Sequence, residues 1–423
     1  MIMENKKNVV VIGGGFAGVQ FIKKLDQKLF NVTLLDKINH HQFQPLFYQV
    51  ATSQLEPSSI SFPFRKIFQE NENVQIRLAE VTGINPQANT VHTSIGDFNY
   101  DYVVIAAGCK TNFFGNKVIE ENSYTLKSTS DSIALRNHVL INFEKIISAP
   151  KEEQEALFNI VIVGGGPTGV ELAGAFAEIK RNILPKDYPG IDFTKLRIML
   201  IEGSKNTLNS MSELAHKASR MYLEKMGVEI QTELFVKNYD GKIAELSNGE
   251  RIPTASLIWA AGVTTNTFDG LEDSVYGPAK RIKVDRTSLV SGYANVYAVG
   301  DIAYMETPKY PKGHPQLANV AINQAKNLAS NLKAIQKNKT LTEFEYKDLG
   351  SMATIGKNKA VVDLPFIKFK GFFAWLTWMF VHLMLILSVK NKLIIFINWA
   401  WAYITKDTSL RLILTQKGPK AEG

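Results

Sequence analysis

Six glycines and two acidic residues carry the clearest chemistry in this chain. Gly13, Gly15 and Gly18 stand in VVVIGGGFAG, and Gly164, Gly166 and Gly169 stand in IVIVGGGPTGVE, both spaced G-x-G-x-x-G. That spacing lets backbone approach a pyrophosphate closely, at the unpaired N–H groups and positive dipole end of the helix that follows. One copy is weak evidence. Two copies, each directly after a β-branched apolar run, point to two dinucleotide sites. Asp36 ends NVTLLD, 18 residues beyond Gly18, and Glu202 ends KLRIMLIE, 33 beyond Gly169. An acid at the end of the second strand can accept hydrogen bonds from ribose hydroxyls.

The elements that must position these residues are repeated as well. Each fingerprint follows a run that reads as a buried parallel strand and opens a helix. Each half continues through short turn-punctuated strands, with Asp240-Gly241 and Asn248-Gly249 as hairpin signals in the second. Each half closes on a matching phrase, IAAGCKTN with Ala107 and Gly108, and WAAGVTTN with Ala261 and Gly262. The closing phrases lie 154 residues apart and the fingerprints 151. The expected fold is therefore α/β: two Rossmann-like dinucleotide-binding domains, the second inserted in the first, plus a C-terminal membrane-associated helical segment. The boundaries read as 1–112 and 267–365 for the first domain, 113–266 for the second, and 366–423 for the tail.

Composition narrows the class. With 423 residues, two or three domains are expected. Cys109 is the single cysteine, which excludes a disulfide framework, a cysteine-only zinc site and a redox-active dithiol; no metal is expected. The N-terminal MIMENKK runs straight into a short apolar strand, too short for a signal-peptide core, so a cytoplasmic-side location is expected. Of the net charge of +8, six units arise from Phe366 onward, where eight Lys and Arg face two acids. The same segment holds GFFAWLTWMFVHLMLILSV and LIIFINWAWAYIT. Nucleic-acid tails are not built of Trp, Phe and Leu, so a membrane surface is the expected partner and nucleic acid is not. Two helices lying in the interface are the simplest reading, with Trp375, Trp378, Trp399, Trp401 and Tyr403 at headgroup depth. A spanning helix and a buried dimerisation helix remain open.

YANVYAVGDIA delivers Gly300 and Asp301 at the end of another buried strand, ahead of the helical run HPQLANVAINQAKNLASNL. In flavoproteins with two dinucleotide domains, this element returns to the first domain and binds the flavin. With HHQFQPLFYQVAT, DLGSMATIGKNKAVVD and the aromatic tail, the chain resembles the type II NADH dehydrogenases along nearly its whole length. These are single-chain, non-pumping NADH:quinone oxidoreductases. The resemblance implies non-covalent FAD, NADH as substrate, a membrane quinone as acceptor, peripheral (monotopic) attachment to the cytoplasmic face of the inner membrane, and a homodimer.

Carried over residue by residue, the resemblance places the FAD pyrophosphate on Gly13, Gly14, Gly15, Phe16, Ala17 and Gly18. It places the adenosine on Asp36, Lys37 and Val81, and the flavin by Ala107, Gly108, Asp301, Ala318, Asn319 and Lys390. NADH falls to Gly164, Gly166, Gly169, Glu202, Ala261 and Gly262. The family's quinone pattern A-Q-x-A-x-Q matches Ala318 to Asn323, with Asn319 and Asn323 where the family has glutamine; Gln324 is the further candidate. Glu171, read as lying on the first turn of the second fingerprint helix, has two open readings. It is a dipole-stabilised acid with no role, or the carboxylate that relays a proton to the quinone. His40 and His41 are expected in packing or surface roles, and His382, in an apolar stripe, in a satisfied polar contact. A soluble reductase of a protein acceptor and an NADH-sensing flavoprotein are the alternatives.

Overall fold

The computed structural model describes residues 6–408 and 410–414; Lys417, Lys420 and Glu422 of the basic tail lie outside them. The chain divides into two compact units. The first comprises Met1–Gln42, Phe62–Lys110 and Val263–Asp348. The second comprises Phe43–Ser61, Thr111–Gly262 and Leu349–Gly423.

In the first unit, KNVVVI forms the strand Lys7–Ile12, whose last four residues are buried. Side chains buried on both faces are the mark of a central parallel strand. It pairs in parallel with Phe30–Asp36, Val9 opposite Val32, and with Tyr102–Ile105, Val9 opposite Tyr102. Val296–Ala298 and Val74–Leu78 complete the sheet at its two edges. The order reverses on either side of Lys7–Ile12, which creates the crevice at the strand ends where open α/β sheets bind ligands. A three-stranded antiparallel meander, Val81–Asn85, Thr90–Thr93 and Gly96–Asn99, follows the sheet's third strand in sequence.

The second unit repeats the plan. Asn159–Val163 is buried throughout and pairs in parallel with Arg197–Glu202 and Ser256–Trp259. Val228–Thr232 is the outer strand. Its meander is Val236–Tyr239, Ile243–Leu246 and Arg251–Pro253, joined through the Asp240-Gly241 and Asn248-Gly249 turns.

This unit also holds elements the first lacks. An antiparallel sheet, Ser351–Gly356, Lys359–Asp363 and Lys368–Lys370, packs on the fingerprint helix Pro167–Asn182. The approach is close: a Cβ at Gly174 would stand 1.8 Å from the carbonyl oxygen of Ile355. Two tail helices follow, Phe372–Leu385 and Val389–Thr405. The uncharged run therefore does not continue as one helix, because Ile386 turns into the core in an extended conformation. The first tail helix, of 14 residues, reaches about 21 Å at ~1.5 Å per residue, and no helix among the described residues is long and apolar enough to cross a membrane.

The tail also departs from the expectation for its aromatics. Trp378 and Trp399 are buried, 1% and 9% exposed, and do not sit at an outer surface. They form the inner wall of the unit, while Phe373, Phe380, Trp401 and Ile404 point outward.

Candidate functional site

The two glycine turns are near copies in detail. Gly13 has φ +101° and Gly164 φ +109°, values that L side chains rarely adopt. A Cβ at Gly18 would stand 1.9 Å from the Gly13 carbonyl oxygen, and one at Gly169 the same distance from that of Gly164. These glycines are required by close packing of helix on turn. Gly15 and Gly166 differ: apart from their chain neighbours, nothing among the described residues lies within 4 Å of where a Cβ would stand. The space above each turn is left open. The helices that begin there, Phe16–Lys24 and Pro167–Asn182, have no side-chain cap, whereas Ser128 and Ser212 cap theirs. An open, uncapped N-terminus after a glycine turn fits a diphosphate.

Each acid is tied to its turn. Asp36 accepts hydrogen bonds from the N–H of Gly14 at 2.6 Å and of Ile38 at 2.9 Å. Glu202 accepts from Gly165 at 2.5 Å and Ser204 at 2.7 Å. Burial pushes the Asp36 carboxyl up despite these bonds. Lys37 is exposed and pairs with Glu80 at 2.5 Å, just before Val81.

Within the first unit, Gly300 brings the strand Val296–Ala298 against both helices of interest. A Cβ there would meet Ala17 at 3.2 Å and Ala321 at 3.4 Å. The structure thus gathers the first fingerprint, Asp301 and the start of the helix Ala318–Gln336. Asp301 Oδ2 accepts from Cys109 Sγ at 3.1 Å, beside Ala107 and Gly108 in chain order. Leu317 provides no side-chain cap to the helix Ala318–Gln336. Asn319 and Asn323 are half-buried, one helical turn apart. Gln324 is not available to a ligand as the sequence reading offered. It is fully buried, its Oε1 accepting the Gly300 N–H at 2.8 Å, so its amide fastens the Gly-Asp turn. His41 is buried and bonded to the Gly14 carbonyl at 3.1 Å, and burial lowers its pKa to about 4.

In the second unit, Ala261 and Gly262 close the sheet beside Gly164, with Gly262 at φ +73°. Glu171 lies beyond the first turn of its helix, where the dipole has largely decayed. The dipole-only reading is therefore corrected by position. Its side chain is 8% exposed, and Oε1 accepts the Thr354 N–H at 3.3 Å. Burial drives its pKa up to about 8, the bond from Thr354 and the nearby Trp378 indole opposing this more weakly. Burial thus shifts the carboxyl toward its protonated form at neutral pH. It lines a cavity of about 100 Å³ with Glu178, Tyr48, Gln49, Trp378 and Trp399, room for several waters.

The wall is specific. Trp399 Nε1 donates to Gln49 Oε1 at 2.8 Å, and Gln49 Nε2 donates to the Tyr48 hydroxyl at 2.8 Å. Trp378 stacks on His382 with ring centroids 4.1 Å apart, and its buried Nε1, near the Glu171 carboxyl, has no acceptor at hydrogen-bond distance among the described residues. At the cavity's other end, Lys357 N–H donates to Glu178 at 2.5 Å, and burial raises the Glu178 carboxyl as well. Sequence reading missed Tyr48, Gln49 and Glu178. Their only signals were FYQ within the family phrase and the seven-residue spacing that puts Glu178 on the Glu171 face of the helix. Lys390 is exposed and does not line this cavity.

Comparison with known proteins agrees with this arrangement. Residues 7–325 match the pyridine nucleotide-disulphide oxidoreductase family, and residues 349–406 match the NDH2 C-terminal domain. The type II NADH:quinone oxidoreductase Ndh of Mycobacterium tuberculosis is 34% identical over 95% of this chain and 89% of its own length. That of Staphylococcus haemolyticus is 26% identical over 85% and 90%. NDH2 of Plasmodium falciparum, solved in complex with NADH, superposes with a TM-score of 0.89 at 22% identity, covering 97% of this chain and all (100%) of that one. On the strength of the mycobacterial match along its length, the chain belongs to the type II NADH:quinone oxidoreductases.

Proposed function

We propose that this protein oxidises NADH and passes two electrons to a membrane quinone through bound FAD, without pumping protons. The observation that carries the reading is that the chain has two open glycine cradles and a buried carboxyl whose wall is built by the aromatic tail.

The cradle around Gly13–Gly18, with Asp36, Lys37, Val81, Ala107, Gly108 and Asp301, would hold FAD. Bound there, FAD supplies the two-electron store that links a hydride donor to a quinone. The cradle around Gly164, Gly166 and Gly169 would dock NADH, with Glu202, Ala261 and Gly262. Glu202 opposes a 2′-phosphate by charge and so favours NADH over NADPH. Orientation is the main service of both cradles, since no side chain need form a bond to substrate. Quinone reduction takes up two protons, and Glu171, itself buried, would hold one at the wall of this cavity. Asn319 and Asn323 are the proposed amide contacts to the quinone, and Ala318 and Lys390 stay assigned by resemblance.

The outward apolar residues of the tail, Phe373 and Phe380 among them, with the lysines of KNK, suit a membrane surface. Peripheral attachment on the cytoplasmic face, homodimerisation and the four-segment domain division belong to the same proposal. Stopped-flow spectroscopy of the flavin-loaded protein tests it. NADH should bleach the flavin in milliseconds, and a quinone in detergent should restore it as fast. Bleaching without reoxidation by quinone would leave both nucleotide assignments and remove the acceptor.

A further inference from the structure

The second unit contains a larger cavity that neither cradle nor Glu171 uses. Its volume is about 320 Å³, at the lower end of the roughly 300–1,000 Å³ usual for small-molecule sites. It is lined by the helices Thr129–Ile146 and Pro167–Asn182, by Ala51–Ser53, and by Arg411 and Ile413. Arg136 projects from the middle of the first of these helices and is 1% exposed, yet its Nε and Nη2 find no acceptor among the described residues.

The other charged side chains on the wall have partners. Arg411 Nε pairs with Asp187 Oδ2 at 2.6 Å, and Glu144 accepts a hydrogen bond from the Tyr188 hydroxyl at 2.6 Å. Glu56 is near enough for its charge to act on Arg136, but the two form no ion pair among the described residues. Nε and Nη2 are the two donors that form a guanidinium's side-on fork. Arg197 of this same chain uses that pair to hold Glu229, at 2.8 and 2.6 Å. Buried guanidinium donors left without an acceptor are unfavourable, and an oxyanion is the acceptor that fits the fork. One part of the wall is apolar, formed by Leu140, Phe143, Phe176, Ile179 and Leu184 with the exposed Ile413 at the rim, while Thr52, Ser53 and Tyr188 add polar groups elsewhere on it.

We propose that this cavity binds an amphiphile with an oxyanion head, a carboxylate or a phosphate, held by Arg136. Its apolar body lies against Phe143, Phe176 and Ile179. The site is separate from the quinone reading and does not depend on it. The head chemistry is shared by fatty acids and phospholipids, and short-chain probes distinguish the two.

The test is thermal unfolding of the full, flavin-loaded chain in lipid-free detergent, with octanoate, octyl phosphate, 1-octanol or inorganic phosphate added. Octanoate or octyl phosphate should raise Tm at concentrations at least about tenfold lower than octanol or phosphate need. A preference for octanoate assigns a fatty acid, and a preference for octyl phosphate assigns a phospholipid. R136M should lose that response and, with no ligand present, be at least as stable as the native chain, since Met fills the space without a charge. E56Q should keep the response. Octanol as effective as octanoate would overturn the anionic head, and phosphate alone as effective would overturn the amphiphile. Destabilisation of R136M, matched by E56Q, would show that Glu56 already neutralises Arg136 and would remove the site.

Discussion

The helices that follow the two glycine turns differ more than the turns do. Position for position, Gln20 of the first copy corresponds to Glu171 of the second, each two residues past the last fingerprint glycine. Around Gln20 the first helix buries Val19, Phe21 and Ile22 into the core of its own unit. Around Glu171 the second helix meets an added sheet and the tail, and its carboxyl is enclosed by them. The turn is kept in both copies because nucleotide docking needs the same backbone twice. On the proposed reading, the chemistry specific to this protein lies where the copies part, on the Glu171 face of the second helix.

The largest effects come from breaking one copy and sparing the other. In Gly18→Val or Gly169→Val the first new carbon would stand 1.9 Å from a carbonyl oxygen, which no side-chain movement relieves. Gly18→Val should yield protein without flavin and without activity. Gly169→Val should keep its flavin spectrum while losing about 10²-fold or more in kcat/KM for NADH, the scale of a misplaced reactant. Flavin content and NADH titration separate the two. A colourless Gly169→Val would mean that the copies do not divide the nucleotides as proposed.

Next in size is Glu171→Gln, which makes the second helix more like the first. Quinone-dependent turnover should fall by about 10²-fold, with reduction of the flavin by NADH unchanged. Stability carries a second signature. The carboxyl titrates near 4.5 when unfolded and at about 8 when folded, so the folded state holds its proton more tightly. Its contribution is fully present below pH 4.5 and is lost as pH rises to about 8. The difference in Tm between the native chain and Glu171→Gln should therefore move against the native chain across that window. A pH-independent difference would show that Glu171 is not held protonated.

The two halves of this comparison were not equally legible. Glycine spacing, β-branched runs and terminal acids are local signals, so the sheets, the turns and the places of Asp36 and Glu202 could be read from sequence. The enclosure of Glu171 could not. Its wall joins Gln49 to Trp399, 350 positions apart in the chain. The tail is apolar on nearly every side, so its sequence marks no inner face, and Trp378 and Trp399 look the same there as the exposed Trp401. Gln324 was misread for a related reason: its amide serves the Gly300 turn, a tertiary bond that spacing does not reveal.

A smaller effect sharpens the difference between the two acids. Glu202→Gln keeps an acceptor for the Gly165 and Ser204 N–H groups but removes the negative charge. Preference for NADH over NADPH should narrow by about tenfold in kcat/KM, with flavin content unchanged. Asp36→Asn should instead weaken flavin retention and leave nucleotide preference alone. An exchange of those two outcomes would reverse the assignment of the cradles.

The mildest change touches only the wall. Trp399→Phe keeps the ring and removes the indole N–H, leaving Gln49 Oε1 without its donor at 2.8 Å. Stranding a buried acceptor costs about 1–3 kcal/mol, enough to loosen the cavity without unfolding the unit. Quinone-dependent turnover should drop several-fold while NADH reduces the flavin at the native rate. If both half-reactions slowed together, the wall would be serving the whole unit rather than the carboxyl. The second helix would then differ from the first in packing alone.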